Sequence, residues 1–147
     1  MKEQLKLAEV KDCGRIQSFL TKAGISSEGV AESIHHFVIM EDENDELLAT
    51  VGFEKDGEHG LLRSLVVSPS LMRSDILLLF KSIVQLAKKN DVHQLYLVTN
   101  KASSVQFFSM MNFQQIHYEE LPGGLKHHSY LRNLPSLEQV YVMAYQD

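Results

Sequence analysis

Apolar residues recur along this chain with two periods, alternation as in a strand and spacings of three and four as in a helix, and the chain switches between them repeatedly. Residues 5–10 (LKLAEV) alternate and predict a short first strand. Ile16, Phe19, Leu20 and Ala23 then recur at helical spacing, with Asp12 as the expected cap and Gly24 as the end. Residues 26–33 predict a second, short helix. Three strands follow, at 37–41 (FVIME), 46–54 (ELLATVGFE) and 60–67 (GLLRSLVV). The last two flank Asp56-Gly57, a hairpin signal. Over 75–89, Ile76, Leu79, Phe80, Ile83, Val84 and Ala87 form one helical stripe. Residues 94–98 (QLYLV) have almost no polar face, as in a central strand covered on both sides. A helix is expected over 102–111, closed by Asn112 in a left-handed cap. Strands at 113–118 and 139–145 (QVYVMAY) flank a stretch at 121–135 that reads as irregular. The order of elements is that of an α/β fold.

Composition narrows the class. The chain has 147 residues, 44% of them apolar and 22% charged, which fits one soluble globular domain over 1–147. Fourteen basic against nineteen acidic residues leave a net charge of −5, so a general nucleic-acid binder is not expected. The lone cysteine, Cys13, excludes an internal disulfide framework and a cysteine-based zinc cluster. It is expected to be a small buried or half-buried residue and not a nucleophile. The first residues are charged and carry no leader-like apolar core. No apolar run approaches the ~20 residues of a membrane span; residues 76–80 stop at Lys81. The expected location is therefore cytoplasmic, with no membrane partner. The histidine pairs His35-His36 and His127-His128 point to opposite faces of an extended chain, so no metal site is expected. Glu54, Glu119, Glu120 and the acidic run 41–46 read as solvated, and Phe107, Phe108, Met110 and Met111 as core.

The stretch 61–79, LLRSLVVSPSLMRSDILLL, carries the most chemistry: a buried strand, a short loop and the start of a long helix. The first helical turn offers unpaired amides and a positive dipole end, a ready place for an anion. Taken locally, such a junction is an ordinary connection more often than a site.

The order and spacing of motifs from Leu5 to Tyr145 resemble the GNAT acetyltransferases. Residues 62–69 (LRSLVVSP) look like that family's fourth strand, 98–100 (VTN) like the end of its fifth, and 102–113 like the helix that usually closes on aromatic-x-x-x-G-F. Glu120-Leu121-Pro122, Tyr130 and Ser136 resemble the branch that acetylates amino acids. The resemblance implies a mixed, largely antiparallel sheet of six to seven strands flanked by helices. It implies acetyl-CoA as co-substrate and a small amine or amino acid as acceptor, the amine attacking the thioester directly. The pantetheine arm would run along Leu65, Val66 and Val67, the pyrophosphate over Met72, Arg73, Ser74, Asp75, Ile76 and Leu77, and Asn100 would stand near the reacting centre. A homodimer is compatible with it.

The departures are specific. The family's phosphate loop usually reads R/Q-x-x-G-x-G/A, where this chain has Met72, Asp75 and Leu77. Asp75 is expected either to repel the pyrophosphate or to cap the helix; on a second alignment Arg73 is the phosphate contact and Asp75 points away. Phe108 stands where many members have a Tyr as general acid. Ser64, Tyr130 and Ser109 are its weak replacements, and Lys126 and Arg132 are weak candidates for holding a substrate carboxylate. The alternative to an enzyme is a GNAT-fold binding or sensory module that has lost catalysis.

Overall fold

Strict alternation fails in the central strands because both faces of their sheet are covered. Strand β2 (Phe37–Glu41) is buried at every position. The computed structural model describes residues 3–127 and 140–147. It shows seven strands: β1 (Gln4–Leu7), β2, β3 (Leu47–Asp56), β4 (His59–Val67), β5 (Gln94–Thr99), β6 (Phe113–Ile116) and β7 (Tyr141–Tyr145). Their order in the sheet is β1-β2-β3-β4-β5-β7-β6. Among the described residues, only β4 and β5 pair in parallel.

Helices α2 (Arg73–Lys89) and α3 (Ala102–Met110) cover one face. There Leu79, Phe80 and Ile83 pack on Val51, Phe53, Leu62 and Leu97, and Phe108 packs with Phe80 and Phe113. The other face carries two separate apolar clusters. One joins α1 (Cys13–Lys22), through Ile16 and Leu20, to Phe37 and Ile39. The second joins Leu121 and Leu125 to Leu61 and Val142, with Leu125 on the single-turn helix α4 (Gly123–Lys126).

Several local expectations shift. No helix forms over 26–33: the chain runs through turns there, with Gly29 at φ +81°, a left-handed geometry that interrupts a helix, before a 3-10 turn at Ile34–His36. Asp12 does not cap α1. Its carboxylate accepts from the Glu9 amide at 2.8 Å and from Arg15 at 2.9 Å. Part of the expected irregular stretch is the helix α4; Tyr130, Arg132 and Ser136 lie outside the described residues. Met110 is half-exposed, unlike its buried neighbour Met111. Glu41 and Glu54, both read as solvated, are buried because each meets an arginine. Asn112 does take the left-handed cap, at φ +70°.

Two predictions follow from this framework. Asn112→Gly removes the strain of a side chain in the left-handed region, whereas Asn112→Val adds a β-branch to it. The valine variant is expected to lose about 1–2 kcal/mol in urea unfolding, with the glycine variant at or above wild type. Arg15 joins Asp12 to Glu41 at 2.9 and 2.7 Å. Burial raises both carboxyls, but hydrogen bonds and the charge of Arg15 outweigh it and hold both below their ordinary values. Each therefore binds fewer protons folded than unfolded, and its stabilisation is lost as pH falls through and below the ordinary carboxylate range. Arg15→Met is expected to flatten that acid limb of the stability curve, measured as melting temperature against pH.

Candidate active site

The parallel pairing of β4 with β5 runs from His59↔Gln94 to Leu61↔Tyr96 and then stops. Beyond it β4 stays with β3, through Thr50↔Val66 and Ala49↔Val67, while β5 stays with β7, through Val98↔Val142 and Thr99↔Tyr141. The strands part, and a cleft of about 440 Å³ opens between them. Leu62, Leu65 and Val67 form one wall, Leu97 to Lys101 the other, and Phe107 and Phe108 an apolar side. The backbone edge of β4 from Leu65 to Val67 faces this opening. It offers strand donors and acceptors that β5 does not use.

A bulge in β4 shapes the head of the cleft. Gly52 pairs with Arg63 and Thr50 with Val66, so Val51 alone stands opposite Ser64 and Leu65. Ser64 takes φ +59°, rare for a residue with a side chain. The hydroxyl of Thr50 donates to the Ser64 carbonyl at 2.8 Å and fixes the distortion. The extra residue resets the alternation. Leu62 precedes the bulge and Leu65 and Val67 follow it, yet all three pack towards α2 and the cleft, while Val66 packs towards α1.

Beneath the bulge lies a buried polar cluster between the two apolar clusters of the α1 face. The Arg63 guanidinium donates to Glu54 Oε2 at 2.6 Å and, through Nε, to Ser64 Oγ at 2.9 Å. Ser33 Oγ donates to the other Glu54 oxygen at 3.0 Å. The Arg63 cation sits 5.7 Å from the centre of the Phe37 ring. Two glycines make room for it. A Cβ on Gly52 would meet Phe37 ring atoms at 2.7 Å, and one on Gly29 would meet Arg63 Nη1 at 3.0 Å. His36 stacks on Phe53 at 4.4 Å beside this cluster, and burial pulls its imidazole below the ordinary value, towards the neutral form.

At the α2 start, the Asp75 carboxylate turns back and accepts from the Met72 amide at 3.0 Å. It thus takes up one of the donors an anion would use at this helix start. Arg73 reaches across to α3, its Nη2 lying 3.0 Å from Met110 Sδ. Leu77 is exposed and Ile76 is partly buried against the core.

The structure thus gathers Ser64, Leu65, Val67 and Asn100 around one cleft, with Val66 in the same strand but facing the other side. Met72, Arg73, Ser74 and Asp75 lie at the helix start beyond Val67. Ser109 bonds back to the Val105 carbonyl at 2.8 Å and is exposed. The Lys126 ammonium lies over the Tyr118 ring at 5.2 Å on the surface. Arg63 and Glu54 were not singled out together from sequence, although a signal existed. The Asp-Gly hairpin pairs Glu54 with Leu61, which makes Arg63 its diagonal neighbour on the same face.

This architecture can be set beside known proteins. No protein-family model matches the chain. It is 38% identical over 123 residues, 83% of its own length and 82% of the other's, to the uncharacterised protein YwlB of Bacillus subtilis (strain 168). N-acetylglutamate synthase of Neisseria gonorrhoeae, solved with coenzyme A and N-acetyl-glutamate, superposes with TM-score 0.76 at 19% identity over 99% of this chain. The chain spans 35% of that enzyme's length. A GNAT-family acetyltransferase of Staphylococcus aureus Mu50 superposes with TM-score 0.70 at 17% identity, over 99% of this chain and 100% of its own. PaiA N-acetyltransferase of Thermoplasma acidophilum, solved with coenzyme A, gives 0.66 at 13% identity over the full length of both. The fold is that of the GNAT acetyltransferases. Within it, the chain belongs to the family of YwlB.

The buried pair generates a test. Glu54→Gln leaves the Arg63 guanidinium buried without its counter-charge and is expected to cost about 3–5 kcal/mol in urea unfolding. Replacing both residues by Met is expected to recover part of that loss.

Proposed function

We propose that this chain is an acetyl-CoA-dependent N-acetyltransferase of a small amine, with an amino-acid-like acceptor. The observation that carries the reading is the open edge of β4 at the head of an apolar cleft, beside the Ser64 bulge. The residues fit the donor. The β4 backbone from Leu65 to Val67 would pair with the amides of a pantetheine arm, Phe107 and Phe108 would cover it, and Asn100 would meet its polar groups. When bound, acetyl-CoA supplies an activated thioester carbonyl and a thiolate leaving group. The acceptor nitrogen would gain the acetyl C–N bond as the C–S bond breaks, and the amine must lose a proton. The bulge shifts the β3–β4 register at the head of the cleft, where a β4 backbone N–H would polarise a carbonyl. Phe108 has no proton to give, so Ser64, Tyr130 or solvent would meet the leaving thiolate.

Arg63 belongs to the cleft lining, but its guanidinium is buried and paired with Glu54. Lys126 and Arg132 are the candidates for holding a substrate carboxylate. The N-acetyl-glutamate held by the gonococcal enzyme points the same way by analogy.

One observation favours the second reading, a binding or sensory module. Asp75 engages the Met72 amide and puts a negative charge in the first turn of α2, where a pyrophosphate would bind.

Thermal-shift titration separates the two. Acetyl-CoA at 100 times its dissociation constant is expected to stabilise the fold by about 2.7 kcal/mol. Thiol release with an amino-acid panel supports the enzyme; binding with no release from any amine supports the module. No shift at millimolar acetyl-CoA overturns both. Asp75→Ser keeps a capping oxygen and removes the charge, and is expected to tighten CoA binding by roughly three- to tenfold at low salt.

A further inference from the structure

Among the described residues, four other than glycine take a positive φ: Asp45, Ser64, Asp91 and Asn112. Three of them stand in turns or bends, and Asp and Asn tolerate this geometry better than other side chains. Ser64 lies inside a strand and is buried. Strain of this kind persists only where the surroundings impose it. Two neighbours do so. Arg63 Nε donates to Ser64 Oγ at 2.9 Å, and the Thr50 hydroxyl donates to the Ser64 carbonyl at 2.8 Å. Thr50 is fully buried on β3 and does not line the cleft. Its side chain lies on the same face as Glu54, opposite Ala49, Val51 and Phe53, which pack towards α2.

The Ser64 carbonyl and the Leu65 N–H belong to one peptide unit, and a trans peptide points them in opposite directions. Thr50 draws the carbonyl towards β3. The Leu65 N–H is thereby turned away from β3, to the side where β5 has parted from β4 and the cleft opens. We propose that Thr50 is a positioning residue for acyl transfer: by holding the Ser64 carbonyl, its hydroxyl aims the Leu65 N–H at the thioester carbonyl of the donor. The inference rests on the acetyltransferase reading and adds to it a residue outside the cleft. A donor aimed at an oxygen that gains charge in the transition state raises the rate more than it tightens binding, provided that it is fixed beforehand. Arg63 grips only the Ser64 side chain and does not fix the peptide plane. Without the Thr50 hydroxyl, Ser64 relaxes towards ordinary extended backbone and the Leu65 N–H swings with it.

Thr50→Val and Thr50→Ser test the assignment in opposite senses. Valine keeps the volume and loses the hydroxyl; serine keeps the hydroxyl and leaves a small void at a fully buried position. Both are expected to melt below the wild type. Rates are therefore taken per folded protein, well below each melting temperature, as thiol release from acetyl-CoA with the best acceptor of an amino-acid panel. Thr50→Val is expected to lower kcat by about ten- to a hundredfold, with KM for acetyl-CoA and the calorimetric affinity for CoA within about threefold of wild type. Thr50→Ser is expected to keep kcat within about threefold of wild type in spite of its lower melting temperature. Thr50→Ala, which matches serine in size without the hydroxyl, is expected to follow valine, and it carries the comparison if the valine variant does not fold. A merely structural threonine would lose rate in step with stability. A hydroxyl-free variant with the wild-type kcat, a loss confined to KM, or a serine variant as slow as alanine overturns the positioning role and leaves the acetyltransferase reading standing. A wild type that releases no thiol with any amine overturns that reading and the positioning role with it.

Discussion

A parallel pair of strands costs nothing to prolong when both neighbours keep their registers, so the early end of pairing between β4 and β5 needs a cause. It is the different company the two strands keep. β4 is drawn along β3 through a bulge, and β5 is drawn along β7. Each finds its hydrogen bonds on its outer side, and the inner edges are left facing each other across a gap. Everything the site can do depends on that gap. It exposes strand backbone to a ligand, and it places Asn100 and the Phe107–Phe108 pair around one opening with Leu65 and Val67.

The second constraint is electrostatic. An acidic chain must make a cation-dependent site from few cations, and it spends two arginines on internal struts. Arg15 holds the α1 start to β2, through Asp12 and Glu41. Arg63 holds β4 to β3 directly beneath the bulge. Buried pairs of this kind add little net stability over a packed apolar pair, but removing one partner is expensive. They therefore fix geometry more than they strengthen it. The Arg63 pair needs Gly52 and Gly29 as near neighbours because a guanidinium, a phenyl ring and a loop backbone share one small volume.

Most elements were legible from apolar periodicity: α1, α2, α3, the β3–β4 hairpin and the left-handed Asn112 all fall where the pattern puts them. The bulge was not. In LLRSLVV nearly every position is apolar, so a one-residue change of phase leaves no trace in the hydropathy pattern; the register with β3 and the positive φ of Ser64 reveal it. The helix expected over 26–33 failed at Gly29, whose role is set by Arg63, a residue distant in sequence. Glu54 looked solvated because a lone carboxylate near a strand end usually is; its burial depends on the partner diagonal to it across the hairpin. Asp75 was legible as a choice between capping and repulsion, and the geometry selects capping. Long-range pairing thus decided what local patterning could not.

The two apolar clusters on the α1 face are not continuous with each other. The elements they anchor, α1 with its following turns on one side and the Leu121–Leu125 segment on the other, are joined through the sheet and through the polar seam of Arg63 and Glu54. Such a surface has two cooperative units of protection in place of one. Either flank can loosen without dragging the other along, because no shared apolar side chain must leave its partners. Loosening of the α1 flank is therefore not coupled through apolar packing to loosening of the Leu121–Leu125 flank.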